Sequence, residues 1–227
     1  MMKTSIETLK KGLLALFLKS NCPLCDRPTE AEFCEYCQRQ LQRCQLKNPS
    51  HFWQADLPVF VWGAYGGILK QAIAALKYEN QPQLARPLGQ WLAQAWLQSP
   101  AANRGKKLTV VPIPLHASKL QQRGFNQAEL IARSFCDFTH YKQQPKGLER
   151  IRATEAQFSL SPQQREQNVA DAFILGKSLV QHPPTLPVLL VDDIYTTGAT
   201  VRSVVQTLRR QKIEVYGLVA IASSHKS

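Results

Sequence analysis

Pro187–Thr200 reads PVLLVDDIYTTGAT. An apolar run from Pro187 to Val191 meets two acids, Asp192 and Asp193, and then a small, hydroxyl-rich run: Thr196, Thr197, Gly198, Ala199 and Thr200. The unbroken apolar run predicts a buried strand, and Ala199 to Lys212 predicts the helix after it. In an open α/β sheet, ligands sit beyond the carboxyl ends of the strands. The turn into the helix offers backbone N–H groups at the positive end of the helix dipole, which suits a phosphate. Gly198 permits close backbone approach, and the threonine hydroxyls add donors. The two carboxylates would repel an anion unless something separates them. Carboxylates accept hydrogen bonds from hydroxyls, so a ligand with a phosphate at one end and a vicinal diol at the other fits both: ribose 5-phosphate. Taken singly, the threonines suit an ordinary N-cap and the acids a strand-end turn. The ordered run is what points to a ligand. A nucleotide hydrolase holding magnesium on such an acid would need G-x-x-x-x-G-K-[ST]. Gly176-Lys177-Ser178 is present, but Asp171 stands where the first glycine belongs.

Outward from this run, strands and helices alternate. PVFVWGAY, residues 58–65, reads as a strand, and Gly67 to Leu76 and Leu84 to Leu97 read as helices separated by Gln81-Pro82. LTVVPIPL, residues 108–115, is another short apolar strand; Ser118 to about Phe135 reads as a helix, and EVYGLVAIAS, residues 214–223, as the last strand. Apolar strands alternating with helices predict an α/β fold with a parallel sheet covered on both faces.

Four of the six cysteines fall in one stretch, Cys22-Pro-Leu-Cys25 and Cys34-Glu-Tyr-Cys37. Two C-x-x-C knuckles this close can place four thiolates around one tetrahedral ion, so Cys22, Cys25, Cys34 and Cys37 are expected to hold a structural zinc. A reducing compartment disfavours disulfides, and two adjacent copies argue against a redox C-x-x-C. Cys44 is either a fifth candidate ligand or an ordinary buried thiol, as is Cys136. A polar linker is expected from about Lys47 to Asp56. The expected organisation is therefore an N-terminal helix and four-cysteine zinc module over residues 1–48, followed by the α/β domain over 57–227.

The 227 residues carry 28 Lys+Arg against 16 Asp+Glu, a net charge of +12, which favours anionic partners: nucleic acid, phosphorylated metabolites or a membrane surface. The sequence has no run long enough to span a bilayer. The start, with GLLALFL after two lysines, lacks a small-residue cleavage site. Ile6, Leu9, Leu13, Leu16 and Phe17 recur at helical spacing and predict an amphipathic helix instead. A cytoplasmic protein is expected.

The run VLLVDDIYTTGAT resembles the phosphoribosyl-pyrophosphate signature of type I phosphoribosyltransferases. That resemblance implies that Asp192 and Asp193 contact ribose hydroxyls and that Thr196, Thr197, Gly198, Ala199 and Thr200 hold the 5′-phosphate. Many members have a second Gly where this chain has Ala199, a change that is tolerable if the backbone there stays helical. The chain as a whole is similar to the ComF family, which includes the GntX-like proteins. The matching pieces are the paired knuckles, AYGGILKQAIAALKY with Lys77, VVPIPLHASKLQQRGFNQAELIA, LERIRATEAQFSLSPQQREQNVADAF and DDIYTTGAT. They occur in the family's order and cover nearly the whole chain.

From the resemblance, the loop after the VVPIP strand holds the pyrophosphate. The residues concerned are Leu115, His116, Ala117 and Ser118, with Lys119 and Arg123 as charge partners and magnesium on the pyrophosphate. Residues 104–128 carry Arg104, Lys106, Lys107, Lys119 and Arg123 and no acid. Arg123 beside Gly124 suits bidentate phosphate binding, although Lys119 and Arg123 equally suit a solvated helix face. The polar stretch Arg150 to Phe173, with Arg152, Gln157, Arg165 and Asn168, suits either a loop closing over a site or a grip on a nucleic-acid backbone. The ComF resemblance implies DNA uptake during natural transformation, at the inner face of the membrane, with single-stranded DNA and a DNA-uptake helicase as partners. Phe52, Trp53, Phe125 and Phe158 are the candidate base-stacking aromatics, each equally suited to packing. The ligand is then phosphoribosyl pyrophosphate or a nucleotide 5′-phosphate. The alternative is a metabolic transferase moving phosphoribose to a base or amine, for which no nucleobase-recognition segment is visible.

Overall fold

The computed structural model describes residues 20–53, 57–102, 106–152 and 171–224. The expected N-terminal helix, Arg104, and Gln157, Phe158, Arg165 and Asn168 lie outside the described residues. The elements in chain order are β1 (Ser20–Asn21), β2 (Pro28–Thr29), α1 (Glu35–Gln42), β3 (Val59–Ala64), α2 (Gly67–Tyr78), α3 (Ala85–Gln98) and β4 (Thr109–Pro112). Then follow α4 (Ala117–Arg123), α5 (Gln127–Thr139), β5 (Lys142–Gln143), β6 (Leu148–Arg150), β7 (Phe173–Leu175), α6 (Lys177–Gln181), β8 (Val188–Tyr195), α7 (Ala199–Arg210) and β9 (Val215–Ser223).

Five strands form one parallel sheet in the order β3-β9-β8-β4-β5. Its strands read as continuous apolar runs because both faces are covered. One face packs beneath α2, α3 and α5 through residues such as Leu69, Leu88, Ile131 and Phe135. The other packs beneath α7 and α6 through Val201, Val204, Leu208 and Leu179. The crossover from β4 leads toward β5 on one side, while that from β8 leads toward β9 on the other. The β4–β8 crevice is therefore the topological switch point of the sheet, where open α/β folds bind ligands.

Gly89 lets α3 and α5 approach closely: a Cβ there would lie 2.6 Å from the Ile131 carbonyl oxygen. The expected single helix from Ser118 to Phe135 is instead two. Gly124 ends α4 in the left-handed conformation at φ 81°, and the Asn126 side chain caps α5 by accepting from the Ala128 N–H.

The cysteine module shares the main core. Cys22, Phe33, Cys34, Cys37 and Leu41 pack with Phe60, Trp62 and Leu69. Phe33 stacks on Trp91 at 6.0 Å, and Trp91 stacks on Trp62 at 5.7 Å. Residues 45–53, which include the first part of the stretch expected as a polar linker, run antiparallel along the outer edge of β3: the Leu46 N–H donates to the Trp62 carbonyl at 2.9 Å and the Val61 N–H to the Pro49 carbonyl at 3.0 Å, with bridges Gln45–Gly63 and Phe52–Val59. They cover a strand edge that would otherwise stand open. Among the described residues, no helix is long and apolar enough to cross a membrane.

Candidate functional site

β8 carries Asp192 and Asp193 to the carboxyl edge of the sheet at the switch point. Asp193 is buried at 4% exposure and ion-paired to Lys77, which projects from the last turn of α2. Its Oδ1 also accepts from Gln127 Nε2 at 3.2 Å. Gln127 in turn accepts from Arg123, so one polar chain runs Arg123–Gln127–Asp193–Lys77 through the floor of the site. Burial would raise the Asp193 carboxyl, but the Lys77 charge and the hydrogen bonds to it hold it below the ordinary carboxylate range. Burial likewise opposes the charged form of Lys77, yet Asp193 keeps that ammonium above its usual value. The pair is thus ionised, and Asp193 is occupied by protein partners.

Asp192 differs. Its Oδ1 accepts from the Asp193 N–H at 2.8 Å. Burial of the carboxyl and the neighbouring Asp193 charge push it well above the ordinary range, with Lys77 only partly offsetting them. Of the two acids, Asp192 is the one that gains most from new hydrogen-bond donors or positive charge.

The loop after β8 enters α7 through Gly198, which is left-handed at φ 76°. A Cβ there would lie 2.9 Å from the Arg202 guanidinium and 3.0 Å from the Tyr195 hydroxyl. Ala199 is the first residue of α7, so its backbone is helical and its methyl is accommodated. The Thr197 hydroxyl oxygen is buried and has no hydrogen-bond partner among the described residues. A buried hydroxyl left in this way is costly unless a ligand completes it. Thr196 is exposed, Thr200 half-buried in the first turn of α7.

The loop after β4 faces this one across the crevice, and the Ile113 N–H donates to the Val191 carbonyl at 2.9 Å. Leu115 and His116 are half-buried; Ala117, Ser118 and Lys119 are exposed. His116 Nδ1 lies 2.8 Å from Ser118 Oγ and accepts from the Ser118 N–H at 3.3 Å, so the His116 side chain caps α4. Lys119 makes no ion pair among the described residues. Partial burial of its ammonium and the charges of Arg150, Arg123 and Lys77 push it below the usual value, and Lys119 shares one space with Lys77 and Arg123. That space is a cleft of about 500 Å³ lined by Lys77, Tyr78, Asn80, Lys119, Arg123 and Gly124.

Lys77, Gln127, Tyr78 and the place of Arg150 were not assigned site roles from the sequence. Lys77 was detectable: it falls on the Leu69–Ile73–Lys77 stripe of α2, where Leu69 and Ile73 are buried. Arg150 comes to the site because β6 pairs with β7 and bridges to His116, a long-range pairing that leaves no local signal.

In the N-terminal module, one ligand atom from each of Cys22, Cys25, Cys34 and Cys37 lies within 4.8 Å of the others. Tetrahedral zinc–thiolate bonds of about 2.3 Å require sulfurs about 3.8 Å apart, so the four thiols fit one metal ion. Burial opposes ionisation of Cys34, but the Cys37 backbone N–H and the adjacent thiols hold it down to about 7. Burial and the other thiols push Cys37 up. Such a group is short of positive charge, which a divalent cation supplies. Cys44 lies outside the cluster and donates to the Gln40 carbonyl at 3.5 Å.

Comparison with known proteins completes the description of the site. No family model matches the chain. It is 29% identical over 223 residues to competence protein F of Haemophilus influenzae, covering 92% of this chain and 93% of that protein. It is 29% identical over 199 residues to DNA utilization protein YhgH of Escherichia coli, covering 85% and 79%. Competence protein ComFC of Bacillus subtilis is 24% identical over 180 residues, covering 79% and 67%.

Proposed function

We propose that this chain is a ComF-family protein that acts in the uptake or utilisation of DNA through a pocket for phosphoribosyl pyrophosphate or another ribose 5-phosphate group. The relatives' names, competence protein and DNA utilization protein, support the cellular role. The pocket rests on one observation above all: the buried Thr197 hydroxyl, in the loop between Asp192 and the N-terminus of α7, lacks a partner among the described residues. In this reading Thr196–Thr200 hold the 5′-phosphate and Asp192 accepts from the ribose hydroxyls. Asp193, fixed by Lys77 and Gln127, sets the floor. Lys119 and Arg123, with the Leu115–Ser118 loop, face the pyrophosphate, and magnesium would enter with it as its counter-ion. Zinc on the four cysteines is structural, and single-stranded DNA is the macromolecular partner. A metabolic transferase is the second reading, and no residue in the cleft favours it.

The test is ligand discrimination by calorimetry. Ribose 5-phosphate and phosphoribosyl pyrophosphate with magnesium are expected to bind, and ribose without its phosphate is not. Thr197→Val, which removes the hydroxyl but keeps the shape, is expected to weaken ribose 5-phosphate binding about 10- to 150-fold, the worth of one hydrogen bond to a charged group. Equal affinity in the variant, or equal affinity for ribose, would show that this loop does not hold the phosphate.

A further inference from the structure

The structure singles out one aromatic side chain in a way that the sequence did not. Of the stacking candidates, Trp53 is wedged against Trp96 at 5.2 Å and Tyr216 at 5.4 Å. Phe125 packs on one core cluster and Phe52 on the other. These are packing residues. Tyr78 is the opposite: at 75% exposure it is the most exposed large hydrophobic side chain among the described residues. It ends α2 directly after Lys77 and forms part of the wall of the cationic cleft. The Arg123 guanidinium lies 5.4 Å from its ring centroid, which holds the ring at the cleft mouth.

We propose that Tyr78, braced by Arg123, is the stacking platform for an unpaired nucleobase whose flanking phosphates lie against Lys119 and Arg123. An exposed ring alone is ordinary. A ring joined to a cleft of cations that includes Lys119, which makes no ion pair among the described residues, presents an apolar face and positive charge within one nucleotide's reach. A nucleotide unit offers the complement, a π-face beside an anion. In a duplex the base faces are hidden by their neighbours, so the platform selects a single strand or a free nucleotide. The inference rests on the DNA role proposed above. It places the base at Tyr78, beside the cations Lys119 and Arg123 that face the pyrophosphate in that reading, and not in the Thr196–Thr200 loop.

The test is fluorescence anisotropy with a labelled thymidine 12-mer at fixed salt, using the full chain and its Tyr78→Ala, Tyr78→Phe and Tyr78→Trp variants. Tyr78→Ala is expected to weaken strand binding about 5- to 100-fold, the range for loss of one stacked base. The aromatic replacements are expected to retain binding. Thermal unfolding of Tyr78→Ala should match the parent because the ring is exposed. Strand binding unaffected by Tyr78→Ala, or no binding of the 12-mer by the parent, overturns the proposal. Thymidine monophosphate separates the two sources. If it binds as tightly as the 12-mer and with the same dependence on Tyr78, the platform serves free nucleotides; much weaker binding assigns it to strands. A blunt duplex that binds as well as the single strand overturns the stacking argument. Titration with phosphoribosyl pyrophosphate runs alongside. Its failure in the parent, with strand binding intact and dependent on Tyr78, removes the sugar-phosphate pocket and leaves the platform standing.

Discussion

Lys77 at the end of α2 and Asp193 on β8 form a buried ion pair across the floor of the cleft, and Gln127 holds the same carboxylate from a third element, α5. The pair ties together three elements that come together only in the folded chain. Its parts are unequal to their sum, because removing either partner strands a buried charge. Lys77→Met and Asp193→Asn are each expected to lower stability by about 3–5 kcal/mol in urea titration. The double variant should cost less than the two losses added. Additive losses would mean that the two groups do not interact. The depressed Asp193 carboxyl also sets a pH window: its stabilisation is full above the ordinary carboxylate range and fades as pH falls through its lowered value.

Asp192 is expected to behave in the opposite sense. Its folded-state carboxyl is raised by burial and by Asp193, so the charged form works against folding. Asp192→Asn should therefore stabilise the unliganded protein, by about 0.5–2 kcal/mol, the usual range for relieving such a site. The gain should grow as pH rises from the ordinary carboxylate value toward the raised one, level off above it, and vanish in acid, where both side chains are neutral. Urea titrations across that range check the sign; a destabilised variant at neutral pH would contradict it.

Gly198 holds a left-handed backbone where a Cβ would meet Arg202 and Tyr195. Gly198→Ala is expected to cost about 1–2 kcal/mol for the backbone alone. It should also weaken ribose 5-phosphate binding, because the loop must shift. Calorimetry and denaturation on the same preparation separate the two effects.

The four cysteines are joined to the main core through the Phe33–Trp91–Trp62 stack. Metal removal is therefore expected to be felt beyond the module. Protein purified under reducing conditions should carry one zinc per chain, and chelation should lower Tm by at least about 5 °C, equivalent to roughly 2 kcal/mol for a chain of this size. Tryptophan emission should change in the same step. A chelated protein with unchanged Tm and emission would refute this.

Much of the fold was readable along the chain. β8 and α7 announce themselves because an unbroken apolar run ends in acids and then small turn residues, and each signal is local. The break between α4 and α5 was also written in the sequence, in Gly124 and Asn126, but the surrounding helical pattern masks it. Three things were not legible. The two-residue strand β5 is too short to have a pattern. The β6–β7 pairing joins residues separated by the 153–170 segment and depends on register. The course of residues 47–53 along β3 reads as polar linker, because edge pairing is made by the backbone and leaves the side chains free to vary. At the site, the acids and the threonine loop were visible as a motif. Tyr78 was not, because exposure is a property of the packed chain.

The central claim is that Asp192 and the Thr196–Thr200 loop receive a ribose 5-phosphate group. Calorimetric titration of the full chain with phosphoribosyl pyrophosphate and magnesium, beside Asp192→Asn, tests it most directly. The account predicts saturable one-to-one binding by the parent and at least a tenfold loss in a variant that is folded and no less stable, the loss of one to two hydrogen bonds to a charged group. Equal binding by the two proteins, or none by the parent, would contradict it.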